Sequence, residues 1–192
     1  MRQASVGLSI CVCCLAALCG GAAAAEPERS AFPALSAILP AQTGNKACYV
    51  RTYDAAHLKA HPRQHITAMK FLLAVETYPE PSKKEQPEDL YYYPFAMQVM
   101  RRGESRPLHT AGDCLTVGGI HCVVDCDGGA VNLDEMPPAD SLIVRISEYG
   151  VRMFHDCDDG EGILVMPGAD DKVFRLDKAA LDACRALGPK EK

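Results

Sequence analysis

The chain has 192 residues, 20 Lys and Arg against 25 Asp and Glu, a formal net charge of −5, ten cysteines and no tryptophan. An acidic chain without a basic cluster argues against nucleic acid as a partner. Beyond the first 25 residues no apolar run is long enough for a transmembrane helix.

The N-terminus reads as a secretory signal peptide over residues 1–25. Met1-Arg2-Gln3 supplies the positive start, Val6 to Leu18 the apolar stretch, and Ala23-Ala24-Ala25 the small residues that a signal peptidase reads. Lipid attachment at Cys19 is disfavoured, because Leu18 stands where such a signal wants Gly, Ala or Ser. Cleavage after Ala25 removes only Arg2 among the charged residues, and the remaining length suffices for one domain with a core. The expected location is periplasmic or secreted.

Six cysteines remain: Cys48, Cys114, Cys122, Cys126, Cys157 and Cys184. An even number in an exported chain reads as a disulfide framework, although sequence alone leaves about 15 pairings open. The expected set is Cys114–Cys122 across a hairpin, Cys126–Cys157 between two Asp-Cys-Asp turns, and Cys48–Cys184 between the ends.

Residues 26–46 carry Pro27, Pro33, Pro40 and Gly44 without a clean period, and are expected to form a loosely packed arm with a short helix around Ala34–Leu39. The domain proper is expected over 47–187. Ala47–Thr52 reads as a strand. Asp54 stands at a helix N-cap ahead of Ala55–Ala60, and Pro62 stops that helix. From Ile66 the period changes to two, with Met69, Phe71, Leu73 and Val75 on one face. Residues 78–89 are a proline-rich charged loop. Leu90–Arg102 is the next strand, with Phe95, Met97 and Val99 on one face and Pro94 marking an edge or bulge. Tyr91, Tyr92 and Tyr93 read either as a ligand rim or as cover for one end of a core. Short strands follow over Leu108–Thr110, Cys114–Val117, Ile120–Val124, Ala130–Leu133, Leu142–Ser147, Val151–His155, Ile163–Met166 and Val173–Leu176, separated by glycine-rich turns. Asp177 is expected to cap a C-terminal helix over Lys178–Leu187, ended by Gly188 and Pro189, and 188–192 is a tail. The pattern predicts a mainly β fold: an antiparallel barrel or sandwich of about eight to ten strands with a C-terminal helix.

Candidate chemistry concentrates in two similar stretches, HCVVDCDGGAVNLD from His121 and HDCDDGEGILV from His155. Asp125, Asp127, Asp156 and Asp158 could offer oxygen ligands to calcium. The EF-hand pattern fails, because counting from Asp125 its required Gly and Glu fall on Ala130 and Met136. Ordinary turn chemistry, with carboxylates accepting from nearby backbone N–H groups, is the simpler reading. His57 and His61 are four apart on the short helix and make half a transition-metal site, whereas His109, His121 and His155 are scattered. The mature chain has no C-x-x-C, and nowhere in the sequence is there a G-x-S-x-G, a P-loop or an H-E-x-x-H.

The run HLKAHPRQ, the strand YYYPFAMQVMRR, the segment HCVVDCDGG and the late GADDKVFRLDKAALDAC together resemble a group of small exported proteins of alphaproteobacterial type with no assigned activity. The resemblance implies a periplasmic or secreted β-rich domain and carries no catalytic residue over. The expectation for function is a non-enzymatic exported protein with a structural, interaction or small-ligand-binding role and without a cofactor; the sequence names no partner and leaves a small ligand or another protein open. A metal-dependent or carboxylate-based enzyme is the alternative.

Overall fold

A computed structural model describes residues 32–78, 90–116, 118–125, 127–136, 140–156 and 160–188. The expected signal peptide lies outside the described residues, as do Cys126, Cys157 and Asp158. The elements run α1 (Phe32–Ile38), β1 (Lys46–Thr52), α2 (Ala55–Ala60), β2 (Ile66–Ala74), β3 (Glu76–Thr77), β4 (Tyr91–Arg101), β5 (Leu108–Leu115), β6 (Ile120–Val123), β7 (Gly129–Met136), β8 (Ser141–Met153), β9 (Ile163–Val165), β10 (Val173–Ala179) and a 3₁₀ helix (Leu181–Leu187).

Every strand pairing is antiparallel, and the order is β10-β1-β2-β4-β5-β6-β7-β8, with β10 pairing back onto β8. The sheet therefore closes into a barrel of eight strands, with β3 added beside β4 and β9 beside β8. Closure is what separates a barrel from a sandwich, and it rests on β10, whose Phe174 pairs with Val144 on one side while its Lys178 pairs with Tyr49 on the other. An eight-stranded barrel is narrow enough for side chains to fill it. Here Tyr49, Met69, Phe71, Leu73, Phe95, Met97, Leu108, Val131, Val144, Met153, Phe174 and Leu176 belong to one buried cluster. The rings of Phe71 and Phe95 stack with centroids 5.4 Å apart. The two alternations read from the sequence are the inward faces of β2 and β4, since Met69, Phe71, Leu73, Val75, Phe95, Met97 and Val99 are all buried.

Pro94 acts in the interior of the sheet. β2 and β3 share one register against β4, Leu73 opposite Phe95 and Glu76 opposite Tyr92, yet the ladder breaks between them. Pro94 has no N–H to give at the break. Val75, next along the chain after β2, continues the β1 side of the ladder, donating to the Asn45 carbonyl and accepting from Gly44 N–H, both at 2.9 Å.

Four local expectations are corrected. The segments Leu108–Thr110 and Cys114–Val117 join in the single strand β5, which ends at Leu115. Leu142–Ser147 and Val151–His155 also belong to one strand, β8. In place of a turn at Tyr149-Gly150 there is a bulge: Ile146 faces Val131 and Val151 faces Gly129, so β8 carries three more residues than β7 across this stretch. Gly150 (φ +79°) and Gly129 (φ +78°) meet at this bend, where a Cβ on Gly129 would run into the Gly150 carbonyl. Thirdly, Asp177 does not cap a helix. Pairing with both Val50 and Ser141 keeps the chain extended to Ala179, and only a short 3₁₀ turn follows. That turn docks on the outside of the barrel, where Cys184 joins Cys48 and Leu72, while Leu181 remains 51% exposed. Finally, the described part of the arm is not loosely packed: Leu35, Ile38 and Leu39 are buried in the main core.

Candidate functional site

The polar side chains gather in three places. The first is the corner around α2. Asp54 caps the helix as its sequence predicts, accepting from His57 N–H at 2.7 Å. His57 and His61 stack face to face with centroids 4.4 Å apart, Tyr53 stacks on His57, and the Arg51 guanidinium lies 5.2 Å over Tyr53. Imidazole lone pairs lie in the ring plane, so two rings inclined by only 26° point them side by side and not at one ion. His57 Nε2 is also within 2.9 Å of Gln64 Oε1. Beneath this corner the Arg102 side chain donates to the Gln64, Leu58 and His61 carbonyls. The buried carboxylate of Asp171 accepts from His65 N–H at 2.6 Å and Ile66 N–H at 3.1 Å. Sequence reasoning missed Asp171, which looks like one residue of an ordinary turn; its partners are more than a hundred positions away.

The second place is the seam where β5 meets the far end of β8. His109 N–H donates to the Phe154 carbonyl at 2.7 Å and Phe154 N–H to the His109 carbonyl at 2.8 Å. His155 Nδ1 lies 3.0 Å from the Pro107 carbonyl, and Arg106 pairs with Asp156. Burial pushes the His109 imidazole below its ordinary pKa, against the pull of Asp156 and together with His155. Nearby, burial and then the Asp125 charge push the Asp113 carboxyl up. The Asp125 carbonyl accepts from Gly128 N–H at 3.2 Å, and Asp127 has φ 59°, the left-handed conformation that short Asp side chains tolerate. His121 is apart from both seam histidines, 2.6 Å from Asn132 Oδ1. Among the described residues no three His, Cys, Asp or Glu side chains converge as a metal group.

The third place is the interior and the mouth over which α1 lies. Tyr93 is 1% exposed, and its hydroxyl donates to the Leu39 carbonyl at 3.1 Å. Burial pushes its phenol up to about 12, so it is a proton donor throughout the physiological range. Of the three tyrosines in the Tyr91–Tyr93 run, Tyr93 is the one turned fully inward; Tyr92 faces out and pairs with the Tyr78 ring. Deeper in the barrel, Thr110 also faces inward, and its Oγ1 is buried without a hydrogen-bond partner.

Two disulfides brace this frame. Cys48–Cys184 fastens the 3₁₀ helix to β1 across 136 positions. Cys114–Cys122 joins directly opposed residues of β5 and β6. These are two of the three pairs expected from the sequence, and the third, Cys126–Cys157, lies outside the described residues.

Fold and disulfides define the class: a mainly β protein built on a closed, eight-stranded antiparallel barrel with cross-links on its outer face and between neighbouring strands. In comparison with known proteins, the chain matches no family model, no curated protein and no solved structure. Among the described residues no helix is long and apolar enough to cross a membrane, a statement that leaves membrane-spanning strands unaddressed.

Proposed function

We propose that this is an exported, non-enzymatic barrel protein with a structural, interaction or small-ligand-binding role, of the kind implied by the small exported proteins its sequence resembles. The observation that carries the reading is the use to which the polar groups are put. Asp54 caps α2, Asp171 holds two backbone N–H groups, Arg102 gathers three carbonyls, and the seam histidines and Asp156 stitch β5 to β8. Groups spent on architecture are not poised over a cleft as catalytic groups are. Export is supported by the leader-like first 25 residues and by disulfides of a kind that persists in oxidising compartments.

The test is fractionation followed by thiol counting. The mature chain should appear outside the cytoplasm, begin near Glu26, and show no free thiols when denatured without reductant, which includes a Cys126–Cys157 bond. A cytoplasmic chain that retains Met1 and titrates four or more thiols would overturn the reading. The same extracytoplasmic material, taken gently into native mass spectrometry, should carry a second chain or a small molecule.

A further inference from the structure

We propose that Phe32–Leu39 is a displaceable plug, and that the barrel mouth it covers is a binding site for a small apolar molecule bearing one hydrogen-bond acceptor, such as a medium-chain carboxylate. The proposal deepens the binding reading above and rests on it.

Four observations carry it. First, α1 belongs to no sheet, yet Leu35, Ile38 and Leu39 are buried in the same cluster as the inward residues of the barrel. Withdrawing three branched side chains would open a void of about 300 Å³, the lower end of the range for small-molecule sites. Second, α1 has only 7 residues and neither an acidic first turn nor a basic last turn. A helix of that length is not stable by itself, so its order depends on the mouth it fills. Third, the rim at this end is irregular. Val75 lies beyond the last paired residues of β1 and β2 and bonds to Gly44 and Asn45 in the link that joins α1 to β1. Movement of the link would break these two bonds and leave the β2–β4 pairing in place.

The fourth observation identifies the chemistry of the occupant. The core cluster that α1 joins is built of aliphatic and aromatic side chains, and the Tyr93 hydroxyl meets the end of the plug. That hydroxyl donates to the Leu39 carbonyl, a backbone oxygen supplied by the plug itself. A carboxylate or ester oxygen can take the same place, and an apolar chain can replace Leu35 and Ile38. Deeper in, the unpartnered Thr110 hydroxyl is a standing cost in a purely structural core. It offers a second polar group to a molecule entering from the mouth.

The experiment titrates dodecanoate, and separately the neutral dye N-phenyl-1-naphthylamine, into the full mature chain, into Leu35→Ala/Ile38→Ala and into Tyr93→Phe. Near-ultraviolet circular dichroism checks each fold. Loosening the plug raises the fraction of open molecules, so the double variant should bind both probes at least tenfold more tightly than wild type. Tyr93→Phe also frees the Leu39 carbonyl and so loosens the plug for both probes; the lost donor should therefore show as a several-fold fall in dodecanoate affinity relative to that of the dye. In wild type, the Leu39 amide, bonded to the Leu35 carbonyl, should exchange with solvent far faster than the amides of β2 and β4. A folded double variant with no saturable binding of either probe would overturn the proposal. So would a Leu39 amide that exchanges only with global unfolding; that readout decides the matter even where the double variant does not fold. Either failure removes the plug and leaves a role through the outer surface intact.

Discussion

Removal of the Cys48–Cys184 bond should be the most damaging loss of a cross-link. The perturbation is the pair Cys48→Ala and Cys184→Ala, which avoids leaving buried hydroxyls at two positions that are 0% and 1% exposed. The bond closes a loop of 136 positions. In the chain-entropy account that restricts the unfolded state by about 5 kcal/mol, against about 2.5 kcal/mol for a loop of 8. The second figure applies to Cys114–Cys122, whose separation is 8. For a domain of this size each kcal/mol moves the melting temperature by about 2–4 °C. Loss of Cys48–Cys184 should therefore lower Tm by about 10–20 °C, and loss of Cys114–Cys122 by roughly half as much. The assay is thermal and urea unfolding of wild type and the two double variants under identical oxidising conditions. The urea slope of the Cys48–Cys184 variant should also rise, because its unfolded state is less compact. A greater loss of stability from removing Cys114–Cys122 than from removing Cys48–Cys184 would refute loop closure as the main source of the stabilisation.

Four further outcomes follow from the geometry. Asp127→Asn should change stability by less than about 0.5 kcal/mol, since Asn also accepts a positive φ, whereas Gly129→Val should cost about 2 kcal/mol or more in urea melts because it adds collision with the Gly150 carbonyl to an unfavourable φ. Asp171→Ala should cost about 2–4 kcal/mol by leaving the His65 and Ile66 N–H groups without their acceptor, and a variant as stable as wild type would show that water takes over both bonds. His109 is held below its ordinary pKa, so its contribution is intact above the unfolded value of about 6.5 and is lost as pH falls through that value toward the lower folded one; urea midpoints should drop on acidification, and His109→Gln should flatten the slope between about pH 7 and 5. Calcium at millimolar concentration and EDTA should leave Tm unchanged, and a calcium-dependent rise abolished by Asp127→Asn would make the Asp125–Asp127 turn a cation site.

The periodic part of the fold was legible residue by residue. Alternation placed Met69, Phe71, Leu73 and Val75 inside, and Phe95, Met97 and Val99 opposite them, because a strand with one face in the core writes that face at every second position. Asp54 and Pro62 bounded α2 because cap chemistry and the missing proline N–H act within a few residues of the chain. What the sequence left open depends on partners far away in the chain. Barrel and sandwich share the same alternation, and only the pairing of β10 with both β8 and β1 closes the sheet. That pairing also overrode the local helix signal at Asp177. The bend in β8 hid behind a Tyr-Gly pair that equally suits a turn, since the deciding contact is with Gly129 on another strand. The same holds for the candidate sites. Sequence named His57, His61 and the acidic turns by type and spacing. The tertiary structure turned the two imidazoles face to face, tied Asp156 to Arg106, and buried Asp171, Tyr93 and the Leu35 and Ile38 side chains of α1. Residue type and spacing determine which groups can do chemistry; only the closure of the barrel decides which of them meet.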